Sequence, residues 1–207
     1  MSTEDLTAQS IRQFTAATAD KTPTPGGGSV AGVVGALATS LGEMALAFTR
    51  GKKKYAEHEA FHAHLAERLA KARAMFFDLV ADDVSAYTLY QTAMTQEDSH
   101  EKNEAVQLAT AAAIDVPRET AKLALAVLED LKELQPRSNP WLMTDLLAAG
   151  ALAAAVARLC DYNVRVNLKQ VADRQAAEDL RRASAEDLRR AEGLSRELDE
   201  AAKTILP

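Results

Sequence analysis

Cys160 is the only cysteine in a chain of 207 residues, so no disulfide can close within it. That excludes a disulfide-stapled secreted scaffold, and a reducing, cytoplasmic setting is expected. Glycine and proline are scarce, at 9 and 6 residues, which argues against a turn-rich β-protein and against low-complexity disorder. Aromatic residues make up only 5% of the chain, whereas alanine and leucine, both strong helix formers, abound. Positive charge is in deficit: 24 Lys and Arg against 30 Asp and Glu leave a net charge of −6. A chain of that sign is a poor general partner for nucleic acid or anionic membrane. The opening Met1-Ser2-Thr3-Glu4-Asp5 has no basic stretch, so no signal peptide is expected. Neither a repeat nor a long linker divides the sequence, and residues 1–207 read as one all-α, single-domain bundle.

One long apolar run, Val30 to Phe48, has nearly the length of a membrane span. Glu43 lies inside it, and Gly32, Gly35, Thr39 and Gly42 interrupt it. A core helix closely crossed by its neighbours fits these residues better than a span. Ala31, Gly35, Ala38, Gly42 and Ala45 recur at steps of four and three, so one helix face is made of small residues.

The spacing predicts further helices on either side. A first helix is expected over Thr3–Ala19, capped by Ser2. The second should run from Ser29 to Thr49, with Gly51 as its stop and Lys52, Lys53 and Lys54 at the negative end of its dipole. A long third helix, Ala56–Thr92, carries the stripe Phe61, Leu65, Leu69, Ala72, Phe76, Val80 and Tyr87, and Asp83 falls inside that stripe. Met94–Asn103 reads as a polar connection. The helical pattern that follows should be kinked or broken at Pro117, then continue through Ala121, Leu125, Leu128 and Leu131. Asn139-Pro140 reads as an N-cap followed by a first-turn proline, opening a helix to Asn167. Its stripe of Asp145, Ala149, Leu152, Val156, Leu159, Asn163 and Val166 should bury Asp145 and Asn163 at its two ends. The charged last segment, about 171–203, reads as an amphipathic helix with a narrow stripe of Leu180, Leu188, Leu194 and Leu198, lying on the surface or against a partner chain.

Four features could carry chemistry. Gly26, Gly27, Gly28 and Ser29 open a helix, where bare N–H groups and the dipole favour an anion or a carbonyl. No Gly-Lys-Ser/Thr follows, so this is not a Walker loop, and a tight turn beside a close helix crossing explains it equally well. Lys52–Lys54 is either a solvated helix end or a source of one inward ammonium. Asp83 and Asp145 lie on core-facing stripes, and a carboxylate there must be paired, hydrogen-bonded or protonated. Either a reactive site or a structural ion pair satisfies that condition. His58-Glu59-Ala60-Phe61-His62 matches a metalloprotease motif literally, but no third ligand is evident. A polar helix surface is the expectation there, with no metal, and Cys160 reads as a small buried residue.

Taken together, Thr22-Pro-Thr-Pro-Gly-Gly-Gly-Ser-Val-Ala31 and Gly51-Lys-Lys-Lys-Tyr55 resemble the formiminotetrahydrofolate cyclodeaminase and methenyltetrahydrofolate cyclohydrolase family. Asp115-Val116-Pro117, Asn139-Pro140 with Thr144-Asp145, and Asn163-Val-Arg-Val-Asn-Leu168 extend the resemblance over nearly the whole chain, in order. Two departures stand out. Met94-Thr-Gln-Glu-Asp98 replaces a Pro-Lys pair, and Thr144 stands where the family has serine.

The resemblance implies an all-α homodimer with folate sites where two chains meet, and no cofactor beyond the tetrahydrofolate substrate itself. It implies one of two reactions. Either 5-formiminotetrahydrofolate closes to the 5,10-methenyl form with loss of ammonia, or the methenyl form is hydrolysed to 10-formyltetrahydrofolate. On that basis Asp145 would be the base or counter-ion at the reacting carbon and Asp83 would shuttle a proton or orient water. One of Lys52, Lys53 and Lys54 would be the acid or would hold the folate tail. Gly26–Ser29 would cradle the ligand, and Asn163, Arg165 and Asn167 would either bind its pterin or glutamate portions or only cap the interface. The competing reading is a non-catalytic folate-binding or dimeric helical assembly protein that keeps the fold.

Overall fold

The computed structural model describes residues 5–203, and none of them forms a strand. Among the described residues six helices carry the fold: α1 (Ile11–Ala19), α2 (Gly27–Ala47), α3 (Glu59–Met94), α4 (His100–Leu134), α5 (Met143–Asn167) and α6 (Arg174–Ala202). Short 3-10 turns at Leu6–Ala8, Lys53–His58 and Pro140–Leu142 precede α1, α3 and α5.

Helices α2 to α5 form an antiparallel ring, each packed on the next, with α2 also against α5. The small-residue face of α2 closes that ring: Ala31, Gly35, Ala38, Gly42 and Ala45 are all buried. A Cβ on Gly35 would overlap the Phe76 ring, and one on Gly32 would overlap Val80, so α2 and α3 touch nearly backbone to side chain. Leu125, Leu128, Leu131 and Leu134 of α4 and Leu146 and Val156 of α5 fill the centre. Burying a leucine side chain contributes about 2 kcal/mol.

α6 lies over α4 and α5. Leu198 is buried, while Leu180, Leu188 and Leu194 are half-buried at its flank. Lys122–Asp187, Glu129–Arg190 and Lys132–Glu197 tie α6 to α4, and Arg158–Glu192 ties it to α5. α2 and α5 are both long and apolar enough to cross a membrane by length and composition. Within the fold, the Thr39 and Thr49 hydroxyls of the α2 segment are buried and donate to the carbonyls of Gly35 and Ala45. Glu43 pairs with Arg73 at 2.6 Å.

Several expectations need correction. The first helix begins at Ile11, because Ser10 and Gln13 form a reciprocal capping box; Ser2 and Thr3 lie outside the described residues. Pro117 does not break α4, which runs unbroken from His100 to Leu134. Proline leaves the carbonyl four residues earlier, Ala113, without its helical donor. The Asn167 side chain donates to that carbonyl at 3.2 Å from α5.

The α5 stripe is right only in part: Ala149 and Val156 are buried as its spacing requires, but Leu146, Gly150, Ala153, Ala157, Cys160 and Val164 are buried too, whereas Asp145, Leu152, Leu159 and Asn163 are half-buried and Val166 is exposed. The physical reason is that α2, α4 and α6 all pack on α5, so a face wider than one stripe is covered and its centre shifts towards Leu146, Ala153 and Cys160. His62 is also misplaced by the polar-surface reading. It is fully buried, in register with Leu65, Leu69 and Ala72, while Phe61 is half-exposed beside it.

Candidate active site

At one end of the ring the start of α2 meets the far ends of α3 and α5. Gly26 caps α2 without a side-chain hydrogen bond, so its first N–H groups depend on outside partners. Asp83 supplies one from α3: the buried Ser29 hydroxyl donates to its Oδ2 at 2.7 Å. A Cβ on Gly28 would overlap the Asp83 carboxyl, so this contact requires glycine. Burial pushes the Asp83 carboxyl above its ordinary range, and hydrogen bonding from the Ser29 hydroxyl and backbone opposes that rise. The apolar stripe read from the sequence thus ends in a carboxyl seated on a helix N-terminus, where the dipole favours it.

Asn163 lies across Gly27, its amide nitrogen 3.5 Å from where a glycine Cβ would stand. Its Nδ2 donates to Leu159 O at 2.8 Å, and Asn167 Nδ2 donates to Asn163 O at 2.9 Å as well as to Ala113 O. Asn167 thus spends both amide N–H groups on backbone carbonyls and Asn163 one of its two, and both residues line the space in front. That space is a cleft of about 260 Å³. Asp83, Asn163 and Asn167 give it polar groups, and Tyr87, Tyr90 and Pro117 give it flat or apolar ones. The two tyrosines belong to no motif in the sequence; their one signal is that they continue the Asp83 register by one and two turns. Arg165 stands outside the cleft, paired at 3.4 Å with the buried Asp161, which also accepts from Ser184 of α6. Cys160 is buried nearby, its thiol pushed up to about 12 by burial and by the Asp83 charge.

The remaining expected site residues gather at the opposite end. α2 spans 21 residues, roughly 30 Å. At its far end the chain turns through Gly51, with φ +71°, and Lys52, Lys53 and Lys54 project into solvent. Lys54 rests over the Tyr55 ring, 5.4 Å from its centre. Asn139 donates its backbone N–H to the buried Thr49 hydroxyl at 3.0 Å, so the start of α5 is pinned beside the end of α2. Asn139 also caps the 3-10 turn through Trp141 N–H. Asp145 follows in the first turn of α5, half-buried. Among the described residues it has no ion-pair partner within the chain. The 18 residues from Asp145 to Asn163 separate them by roughly 27 Å. Within one chain, then, Asp83, Gly26–Ser29, Asn163 and Asn167 come together, and Lys52–Lys54 and Asp145 do not join them.

The described residues contain no group of three His, Cys, Asp or Glu side chains placed to hold a metal. His62 Nε2 stands 3.0 Å from Arg137 O, so that nitrogen is already engaged.

A six-helix domain with a glycine-rich helix start, a lysine-rich helix end and carboxylates at both ends defines a narrow class of all-α enzyme-like folds. The family profile described as formiminotransferase-cyclodeaminase matches residues 10–186, and the chain belongs to that family. It is 30% identical over 201 residues to a methenyltetrahydrofolate cyclohydrolase of Methylorubrum extorquens, covering 95% of this chain and 97% of that protein. It is also 30% identical over 176 residues to the formimidoyltransferase-cyclodeaminase of Sus scrofa, covering 82% of this chain but 32% of that much longer one. Among solved structures, formiminotetrahydrofolate cyclodeaminase from Thermotoga maritima superposes with a TM-score of 0.90 at 29% identity, over 98% of this chain and all of that one.

Proposed function

We propose that this protein is an enzyme interconverting one-carbon groups on tetrahydrofolate, working as a two-fold homodimer with antiparallel α2 helices, whose two sites are each assembled from both chains. The observation that carries the reading is the separation within one chain. The two sets of site residues stand at opposite ends of α2, too far apart to reach one ligand. A two-fold axis near the middle of α2 removes that separation, because it lays the start of one α2 beside the end of its partner. Leu37 is the midpoint of Gly27–Ala47 and is 53% exposed. Leu41, Met44 and Phe48 continue its stripe at helical spacing and are likewise not fully covered. Such an uncovered apolar row suits a second copy of the same helix.

In such a dimer the cleft beside Asp83 receives the flat ring system, with Tyr87, Tyr90 and Pro117 as walls and the amide oxygens of Asn163 and Asn167 facing its hydrogen-bonding edge. The partner chain brings its Asp145 and one of its lysines 52–54 to the reacting carbon. Closing the formimino group means attack by N10 and loss of ammonia. Opening the methenyl bridge means addition of water. Both pass through a tetrahedral carbon and need a proton moved and a cationic carbon balanced. Asp145, with no ion-pair partner among the described residues of its own chain, suits the base or counter-ion. Asp83, tethered by Ser29, suits orienting the ligand or a water rather than swinging between protonation partners.

A paired assay tests the chemistry: 5-formiminotetrahydrofolate and 5,10-methenyltetrahydrofolate are offered separately and the methenyl chromophore is followed. Ammonia release with methenyl formation identifies a deaminase, and accelerated methenyl loss a hydrolase. Folate binding without either would sink the catalytic reading. The shared site is tested by mixing. D83N and D145N homodimers should each be inactive. A D83N/D145N heterodimer should regain turnover, since one of its two sites then keeps both carboxylates. No regain after subunit exchange would place the whole site within one chain.

A further inference from the structure

His62 is the most buried ionisable side chain outside the cleft, at 0% exposure, and the folate reading gives it no task. It reaches from α3 to the loop between α4 and α5, where its Nε2 stands 3.0 Å from Arg137 O. A carbonyl only accepts, so the proton sits on Nε2, and Nδ1 is a bare acceptor. Nδ1 is buried with no hydrogen-bond partner. Two residues further along the same loop, Asn139 N–H is held by Thr49. Gln135 Nε2 donates to Leu198 O of α6 at 3.0 Å at the head of the loop, and the Arg137–Asn139 stretch that leads on to Asp145 is held by the other two bonds, one from α3 and one from the end of α2.

We propose that His62 is a positioning residue: neutral, it latches the Arg137–Asn139 loop and so fixes Asp145 at the start of α5, and protonated, it releases that loop. The task assigned to Asp145 rests on the folate reading above; the latch itself does not. The physical basis is the unpartnered Nδ1. A second proton there would be a buried N–H without an acceptor, on a buried cation. The charges around it do little to help. His58, with its ring centre 5.9 Å away, and Arg50 disfavour the cation, and Glu59 favours it but is itself paired with Arg50. Arg137 supplies the accepting carbonyl while its guanidinium lies over the Phe61 ring. Burial, the largest influence, holds the His62 pKa below its ordinary value. The latched state therefore excludes the proton and an open state that admits water takes it up, so acid favours opening.

Amide hydrogen exchange over residues 135–145 tests this in wild type, H62Q and H62L, each compared with its own intrinsic exchange rate. Glutamine can offer an amide N–H near the position of Nε2 but does not titrate; leucine fills the volume without a donor. At about pH 7.5 H62L should lose at least tenfold protection at Ser138 and Asn139 while the α2 and α5 cores stay protected, and H62Q should resemble wild type. Between about pH 7.5 and about pH 5 the wild-type loop should lose protection and the H62Q loop should not. Equal protection of the loop in H62L and wild type, or the same pH dependence in wild type and H62Q, would overturn the latch. Where turnover is measurable, H62L should lower kcat more than it raises KM, and H62Q should restore it. Absence of turnover in wild type would defeat the folate reading while leaving the exchange result to decide His62.

Discussion

Gly28 and Asp83 occupy almost the same space: a single methyl group on the glycine would overlap the carboxyl that caps its helix. Substituting Gly28 by alanine therefore pushes Asp83 out of the cleft or α3 away from α2. Overpacking of this kind costs about 1–3 kcal/mol, which the fold should tolerate. We expect G28A to fold with a lowered melting temperature and to lose folate binding, measured by ligand-induced thermal shift. Full binding by a folded G28A would mean that the carboxyl position is unimportant.

Asn167 and Pro117 should be energetically coupled. N167A leaves Ala113 O without a donor, a loss of about 1–3 kcal/mol. P117A gives α4 back a backbone N–H aimed at that same carbonyl. In a double-mutant cycle by urea unfolding, N167A should be distinctly less harmful in the P117A background, with a coupling of about 1 kcal/mol. Simple additivity would show that Asn167 does not serve this carbonyl.

Asp130 governs part of the acid response. It lies 2.8 Å from Arg68, yet its pKa is raised to about 6, because burial outweighs the arginine and Glu133 and Glu129 add repulsion. The side chain of Arg68 is half exposed and solvent weakens its pull, which is why burial prevails. Between pH 6 and the unfolded value near 3.8 the folded state binds a proton that the unfolded chain does not. This group's contribution to stability therefore rises as pH falls through that window, by up to about 3 kcal/mol. Unfolding wild type and D130N across the window should show wild type gaining relative to the variant on acidification. A difference that is flat with pH would refute the assignment.

Two helix glycines should respond in opposite directions to alanine. Gly193 in α6 has open space where a Cβ would go, so G193A should stabilise by about 0.5–1 kcal/mol. Gly35 in α2 faces the Phe76 ring, and G35A should destabilise by about 1–3 kcal/mol. Chemical denaturation of the two variants checks both signs.

Much of the fold was legible because helical periodicity is local. The small face of α2, the α3 stripe from Leu65 to Val80 and the leucines of α4 all lie buried where their spacing put them. The same rule misled at α5 and at His62. Eight of the 25 residues of α5 are alanine or glycine and they lie on covered and exposed sides alike, so size alone marks no single face and the packing of α2, α4 and α6 decides what is buried. His62 satisfies the register of Leu65 and Leu69 as well as Phe61 does, and only the Arg137 carbonyl across 75 residues makes histidine acceptable there.

The sequence by itself determined the helices, their small and large faces, and a set of motifs that resemble one family in order along the chain. It could not say which of those motifs meet, because residues adjacent in space at Gly28, Asp83, Pro117 and Asn163 are separated by most of the chain. The antiparallel ring decided that. It gathered the glycine-rich helix start, Asp83 and the asparagines into one cleft and carried Lys52–Lys54 and Asp145 to the other end, since α2 and α5 each place their two termini roughly 30 to 40 Å apart.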